Sequence, residues 1–391
     1  MNESNQILLR GITWNHTRGY LPMVATGQRF NELHPEVRIE WNVRSLQAFA
    51  DSPLSDLADS FDLLVIDHPS ISAAAEGGLL IPLDALFDRE FLGDQAANSV
   101  GASHRSYIHN GSQWALAIDA AAPISGWRPD LLANAGAGVP QTWEELLDLA
   151  RRSLVALPGL AIDSLMHLYM LCAAVGEEPF QSPGIFVAQE CGVQALRLLQ
   201  ELLQLCDPGC LNRNPIHTWE LLTSGEAIAY CPFAYGYSNY SRRGYGAHTL
   251  EVGNLLTLDR RTRLRSVLGG AGLAVSHRCI HRQVAAEYAR FVASAECQTA
   301  LYFDAGGQPG HRSAWLSETT NLRANAFFLK TLPTLDSALL RPRHNGYLTF
   351  QNAASQLVHD YLVRGGSEIG LLNSLDKLAS QTSFDKTEGI A

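Results

Sequence analysis

The sequence has 391 residues, of which 46% are hydrophobic and 17% charged, and its net charge is −10. This length predicts two or three domains, and this composition is typical of packed cores rather than disorder. The acidic balance argues against a nucleic-acid partner, and the absence of a long apolar run argues against a membrane-spanning helix.

The first third of the chain alternates short apolar runs with helical patterns. Ile7–Trp14 predicts a strand, and apolar spacing from Pro22 to Leu33 predicts a helix. Val37–Val43 alternates apolar and polar residues, which indicates a second strand, and Phe61–Ile66 reads as a buried third strand. This alternation predicts an α/β fold with a parallel sheet, whose ligands bind at the carboxyl ends of the strands.

The middle of the chain is strongly helical. Thr142 is a predicted N-cap, and Glu145 completes a capping box three residues later. The further predicted elements are helices over 160–176, 188–206 and 282–294, a short strand that follows Ser224–Glu226 and runs through Tyr230, and a strand over 269–276.

The amino terminus and the cysteines indicate the cellular compartment in which the protein is expected. Residues 1–6 lack the basic start and apolar stretch of a secretory signal. Seven cysteines without a pairing pattern predict reduced thiols, and the Cys206–Cys210 spacing lacks the further ligands that a metal needs. We therefore expect a cytoplasmic protein without metal or cofactor. The alternative is a periplasmic or surface-anchored protein whose leader has been removed.

Several motifs occur in a recognisable order along the chain. They are Trp114–Ala120 with Trp127–Leu132, Val139–Leu146, Ser224–Ala229, Pro232–Asn239, Gly269–Ser276 with Phe291–Gln298, and Gly306–Arg312. In order and spacing they resemble the extracellular solute-binding proteins, specifically the sugar-binding, maltose-binding-protein-like branch that serves ABC importers. The resemblance covers about residues 7–375, and a leaderless cytoplasmic variant would fit the amino terminus.

The resemblance implies a two-lobed periplasmic-binding-protein-like fold of type II, with a hinge and an interlobe ligand cleft. The implied lobes are 1–118 plus 272–325 for lobe one, and 122–268 plus 328–391 for lobe two. The implied hinge crossings lie near 117–122, 268–272 and 325–328. Hinge bending would trap the ligand between the lobes.

Candidate ligand contacts follow the first strand. Trp14 and Tyr20 can pack on a ring or acyl face, and His16 can donate or accept a hydrogen bond. Arg18 offers a planar fork that matches a carboxylate or a phosphate. The alternative is a local turn in which Arg18 bonds nearby carbonyls and Trp14 fills the core.

Three further candidates lie near the ends of other predicted strands. Asp67 and His68 follow the third strand, where the resembled family commonly places an acidic residue on sugar hydroxyls. Asp67 could equally be a helix N-cap. Asp119 lies at the first crossing, where it could face the ligand or hold the hinge, and we expect it in the cleft.

Lobe two offers aromatic candidates. Phe233, Tyr235 and Tyr237 alternate, so an extended chain would direct them to one side as a platform for a flat ligand. At least one of them could instead be core, and we favour Tyr235 and Tyr237 over Phe233.

Two late segments match cleft positions of the resembled family. Gln308 and Arg312 flank a turn with the sequence Pro309-Gly310-His311, and His344 and Tyr347 precede a late helix. Arg312 could instead pair with a carboxylate of lobe one.

The candidate set is more cationic and aromatic than a plain sugar site needs. We therefore predict a monomeric solute-binding protein whose small-molecule ligand is a sugar or an anionic, aromatic metabolite. Its partner would be an ABC permease in uptake, or a cytoplasmic enzyme in intracellular metabolite binding. The alternative is an enzyme that uses His16, Asp67, His68 and Asp119 as acids and bases. No nucleophile elbow, phosphate loop or zinc motif is present, so we expect no catalysis.

Overall fold

A computed structural model describes residues 6–51, 54–259 and 261–382. The chain divides into two compact units. Unit 1 comprises Met1–Ala121 and Gly269–Asn321, and unit 2 comprises Ala122–Leu268 and Leu322–Ala391. Residues 322–325, which we expected in lobe one, lie in unit 2.

Each unit contains its own sheet. The strands of unit 1 are β1 (Ile7–Trp14), β2 (Val37–Arg44), β3 (Leu63–Ile66), β4 (Ile108–His109), β5 (Ser112–Gln113), β6 (Leu116–Ala121) and β10 (Gly269–Val275). The strands of unit 2 are β7 (Pro123–Trp127), β8 (Tyr230–Tyr235) and β9 (Glu251–Gly253).

Helices account for most of the remaining chain. Unit 1 has α1 (Thr17–Leu33), α2 (Leu46–Asp51), α3 (Ser55–Ser60), α4 (Ile71–Glu76), α5 (Arg89–Ala97), α11 (Arg282–Ala293), α12 (Ala295–Cys297) and α13 (Arg312–Leu316). The boundary between the units falls within α14 (Glu318–Arg323). Unit 2 has α6 (Pro129–Asn134), α7 (Trp143–Arg151), α8 (Ala161–Val175), α9 (Gln189–Leu205), α10 (Pro215–Ser224), α15 (Phe327–Asp336), α16 (Tyr347–Arg364) and α17 (Glu368–Gln381).

The five-stranded sheet of unit 1 has the strand order β2-β1-β3-β10-β6, and β4 and β5 form a separate two-stranded sheet. Strands β1, β2 and β3 are parallel, and β10 runs antiparallel to both β3 and β6. Since β6 therefore runs in the same direction as β3, the carboxyl ends of β1, β2, β3 and β6 lie at one edge of the sheet. This arrangement confirms the predicted α/β fold class and identifies the edge where ligand contacts are expected.

Two predicted element boundaries were wrong for local reasons. Helix α1 begins at Thr17 rather than Pro22, because His16 caps it at that point, and Pro22 lies inside the helix. The strand predicted to end at Tyr230 instead begins there. Helix α10 continues through Ser224, whose hydroxyl donates to the Glu220 carbonyl oxygen at 2.6 Å.

The start of α7 largely agrees with its prediction. The Thr142 hydroxyl accepts a hydrogen bond from the Glu145 backbone N–H at 3.3 Å, as an N-cap does. The Glu145 carboxylate closes the motif on the Gln141 N–H at 2.6 Å, one residue before the position a capping box predicts.

Close backbone packing at Gly310 leads to a first prediction. The Gly310 N–H donates to the Ile118 carbonyl oxygen on β6 at 3.0 Å, and a Cβ added there would lie 2.1 Å from the Ala117 carbonyl oxygen. We expect Gly310→Ala to lower the free energy of unfolding by about 2–3 kcal/mol in urea denaturation.

Gly93, inside α5, provides the matched control. A Cβ there meets no atom within 4 Å, so Gly93→Ala should stabilise the protein by about 0.5–1 kcal/mol. Equal effects of the two substitutions would contradict the close contact at Gly310.

Candidate functional site

The carboxyl edge of the unit 1 sheet carries a set of polar and aromatic residues. Trp14 ends β1, Arg44 ends β2 opposite Trp14 in the strand register, and Asp67 follows β3. Asp119 lies on β6, and Arg18 is in the first turn of α1. We call these five residues the strand-end cluster.

A buried ion pair joins Arg18 and Asp119. The two residues are 4% and 1% exposed. The Arg18 Nε donates to Asp119 Oδ2 at 2.8 Å, and its Nη2 donates to Oδ1, so the contact is bidentate. Burial raises the pKa of the Asp119 carboxyl, while the charge and hydrogen bonds of Arg18 oppose that rise. The pair places a matched positive and negative charge at the edge of the sheet.

This pair corrects the role expected of Arg18. Two of its guanidinium nitrogens are engaged by a carboxylate of the protein, so the planar fork is not open to a ligand carboxylate or phosphate. The alternative prediction, in which Arg18 bonds nearby carbonyl groups, did not include Asp119 either, because Asp119 lies 101 residues away in sequence.

His16 serves as the N-cap of α1. Its Nδ1 accepts a hydrogen bond from the Arg18 backbone N–H at 3.0 Å. Burial, followed by the charge of Arg18, lowers the pKa of His16 to about 4. The imidazole is therefore neutral at physiological pH and adds no positive charge for an anion. Tyr20, one turn further along α1, is half-buried against the core of unit 1.

Phe49 packs against the strand-end cluster, and neither Phe49 nor Arg44 was predicted from the sequence. The rings of Trp14 and Phe49 lie 5.0 Å apart, and the Arg44 guanidinium lies 5.2 Å from the Phe49 ring centre. Burial lowers the pKa of Arg44 to about 10, which Asp67 partly offsets, so Arg44 stays charged. The strand-end rule already used for Trp14 would have found Arg44, because it ends the neighbouring strand.

Asp67 caps the short 3-10 helix His68–Ser70. Its Oδ1 accepts from the His68 backbone N–H at 2.9 Å, and the His68 Nδ1 lies 3.2 Å from the same oxygen. The expected alternative of an N-cap is thus present. His68 is buried and makes an edge contact with the Tyr107 ring, whereas part of Asp67 stays exposed.

The turn with Gln308 and Arg312 is hydrogen-bonded to strand β6 and to the segment that follows helix α5. The buried Gln308 side chain donates to the Ala120 carbonyl oxygen at 2.8 Å. Arg312 donates through Nε to the Ser99 carbonyl oxygen at 3.0 Å. Gln308 therefore holds the end of β6 in place, close in sequence to Asp119.

In unit 2, Phe233 lies in the core. It has no exposed surface, stacks on Trp143 with a 6.5 Å centroid distance and contacts the His167 ring edge-on at 4.6 Å. This position corrects its expected role as a ligand platform.

Tyr235 and Tyr237 lie at the end of the same strand. Tyr235 is half-buried, and its carbonyl oxygen accepts from Trp219 Nε1 at 2.8 Å. Strand β8 stops at Tyr235, so Tyr237 does not continue the alternation we expected. It is mostly buried and packs edge-on against Tyr240 at the start of a short 3-10 helix.

The last two candidates lie at the start of α16. Tyr347 is fully buried, with its hydroxyl 3.2 Å from that of Tyr169 and its ring among the aromatic side chains of unit 2. The His344 Nδ1 lies 3.1 Å from the Asn345 carbonyl oxygen. Tyr347 therefore has a structural contact that its sequence position did not reveal.

The structure thus connects some of the predicted residues directly. Arg18 binds Asp119, and its guanidinium lies 6.0 Å from the centre of the Trp14 ring. The backbone N–H of Arg18 donates to the His16 side chain, and Asp67 and His68 form a second pair. In the described ranges, no group of three or more His, Cys, Asp or Glu side chains could hold a metal ion. Over the same ranges, no helix has the length and apolar character required to cross a membrane.

Comparisons with known proteins support the resemblance that the sequence motifs indicated. Residues 13–172 match the family model described as bacterial extracellular solute-binding protein, which confirms the resemblance of the sequence motifs. Proteins of this family bind small molecules, work with ABC permeases and are normally extracellular or periplasmic. A comparison with curated proteins gave no match.

Solved structures agree over nearly the whole chain. Maltose-bound MalE3 of T. maritima is 18% identical, with a TM-score of 0.82 over 96% of this chain and 99% of that one. A tagatose-bound solute-binding protein of Thermotoga lettingae is 16% identical, with a TM-score of 0.81 over 96% of this chain and 100% of that one. UgpB of Mycobacterium tuberculosis, in complex with glycerophosphocholine, is 18% identical, with a TM-score of 0.77 over 96% of this chain and 98% of that one. The chain therefore has the type II periplasmic-binding-protein fold.

Proposed function

We propose that this chain is a solute-binding protein for an uncharged polyhydroxylated solute, a sugar or a polyol, which it delivers to an ABC permease. The observation that carries the proposal is the strand-end cluster, where Arg18 and Asp119 cancel each other's charge beside the rings of Trp14 and Phe49. The half-buried Phe49 ring suits the apolar face of a sugar ring, whereas Trp14 is buried in the core of unit 1. Asp67 offers a partly exposed carboxylate to hydroxyl groups. The maltose and tagatose complexes of proteins with this fold support the same class.

A second candidate is an anionic or aromatic metabolite. It is favoured by a different observation, the basic run Arg341, Arg343 and His344 before α16 in unit 2. Glycerophosphocholine, a phosphodiester, is bound by one protein with this fold. Since Arg18 and His16 do not supply the positive charge first expected of them, we rank this candidate second.

A thermal-shift screen of the purified protein against sugars, polyols, carboxylic acids and phosphate esters separates the two. A ligand at about 100 times its Kd adds roughly 2.7 kcal/mol of stability, which is a shift of a few degrees. We expect a neutral sugar or polyol to raise the Tm. A shift with anions alone would replace the first candidate by the second, and no shift with any class would contradict both.

The Asp67 carboxylate gives the corresponding variant. Asp67→Asn retains a cap for the His68 N–H, because asparagine and aspartate cap helices comparably. We expect it to weaken binding of the identified sugar about tenfold by calorimetry, since an amide accepts hydroxyl hydrogen bonds less strongly than a carboxylate. Asp56→Asn, on the exposed side of α3, is the control and should leave the affinity unchanged. Equal affinities of both variants would remove Asp67 from the site.

The monomeric state is part of the same proposal, and a cytoplasmic location is the alternative in which the chain binds its solute for a cytoplasmic partner instead of an ABC permease. All seven cysteines are buried as free thiols, which supports a reducing compartment. Fractionation of cells that produce the full natural gene, with size-exclusion chromatography of the purified chain, tests both statements. Recovery in the periplasmic fraction would overturn the location and leave the binding function standing.

A further inference from the structure

Helices α8 and α9 of unit 2 are joined by a pair of thiols. Cys172 is near the end of α8 and Cys191 is in the first turn of α9. The Cys191 Sγ donates to the Cys172 carbonyl oxygen at 3.3 Å, and each thiol shifts the pKa of the other. The Cys191 sulfur therefore lies against the residue that carries the second thiol, as a disulfide between the two requires.

We propose that Cys172 and Cys191 form an oxidation site, which a peroxide converts into a disulfide linking α8 to α9. The inference is independent of the ligand-binding function, because it depends on the contacts of two side chains within unit 2.

The two thiols differ in a way that sets the order of the steps. Cys191 is 9% exposed and Cys172 is fully buried. The hydrogen bond from Cys172 lowers the pKa of the Cys191 thiol, whereas burial raises the pKa of Cys172. Since the thiolate is the nucleophile, Cys191 attacks the peroxide first and Cys172 resolves the product.

The chemistry balances with a peroxide as the only oxidant. The Cys191 sulfur attacks one oxygen of hydrogen peroxide, the O–O bond breaks, and a sulfenic acid and water form. The Cys172 sulfur then attacks the sulfenic sulfur, and the S–O bond breaks with loss of a second water. The two thiols together lose two electrons and two protons, and the peroxide is reduced to two waters.

The disulfide would close the connection between the helices. That connection contains Phe180, whose ring packs edge-on against Phe186 and Phe350 in the aromatic core of unit 2. Closing a loop of about 20 residues restricts the unfolded chain, so oxidation should raise the Tm by about 5 °C.

The test is mild hydrogen peroxide treatment of the full purified chain, followed by alkylation, denaturation, thiol counting and peptide mass spectrometry. We expect two of the seven thiols to be lost, a Cys172–Cys191 crosslinked peptide, and full recovery with dithiothreitol. Retention of all seven thiols would overturn the proposal, and so would a disulfide mapped to another pair such as Cys206 and Cys210.

Variants test the order of the steps. Cys172→Ser should leave a sulfenic acid on Cys191 that a dimedone probe labels, and Cys191→Ser should abolish both the label and the crosslink. Cys297→Ser, a buried cysteine of unit 1, is the control and should still form the disulfide. If a variant fails to fold, the crosslink map of the unsubstituted protein decides the question.

Discussion

Asp163→Asn should stabilise the protein, and the gain should increase with pH. Asp163 lies in the first turn of α8, is 4% exposed, and its Oδ2 has no hydrogen-bond partner among the described residues. Burial without a countercharge raises the pKa of its carboxyl to about 8. An asparagine of nearly the same shape has no proton to lose and so avoids the cost of a buried carboxylate.

The sign of the pH effect follows from proton linkage. Between about pH 4 and pH 8, the folded protein holds a proton on Asp163 that the unfolded chain releases, so rising pH favours the unfolded chain. The protonated Asp163 carboxyl contributes this stability in full below the pKa that it has in the unfolded chain. The contribution is lost as pH rises to the pKa that it has in the folded protein. Between pH 5 and pH 7.5, the advantage of Asp163→Asn over the unsubstituted protein should therefore grow by about 3 kcal/mol.

Urea denaturation at several pH values measures this difference. Asp148→Asn is the control, because its side chain is 69% exposed and its stability curve should run parallel to that of the unsubstituted protein. A parallel curve for Asp163→Asn as well would show that the Asp163 carboxyl has no raised pKa.

Arg18→Met should destabilise the protein by about 3–5 kcal/mol, because it leaves the Asp119 carboxylate buried without its countercharge. Asp119→Asn should cost a similar amount, since it leaves the guanidinium alone. The double variant removes both charges, so it should lose less stability than the two single variants together. Urea denaturation of all four proteins gives the coupling between the side chains.

An exposed ion pair of the same unit is the matched control. Arg278 and Asp59 lie 3.0 Å apart with side chains 65% and 61% exposed, and Arg278→Met should cost less than about 1 kcal/mol. Additive losses at Arg18 and Asp119 would mean that the pair contributes no interaction of its own, and the cancellation of charge on which the proposed function depends would fail.

The sequence by itself determined the features that depend on neighbouring residues. The bounds of β1, Ile7–Trp14, were predicted as they stand, because an apolar run with local boundaries is sufficient to indicate a strand. The Thr142 cap was predicted for the same reason, since a cap and its N–H lie three residues apart. The order of the motifs was sufficient to predict the resemblance to bacterial extracellular solute-binding proteins, whose family model matches residues 13–172.

Only the tertiary structure decided which of the candidate side chains make contacts within the protein. Arg18 was correctly placed near a strand end, but its partner Asp119 reaches it from β6 through folding. Phe233 follows a surface-like alternation, yet Trp143 and His167 from two helices enclose it. Burial and ion pairing depend on residues far apart in sequence, and periodicity and spacing carry no information about them. For that reason the chain's pattern predicted the edge where a ligand would bind, while folding determined the charge at that edge.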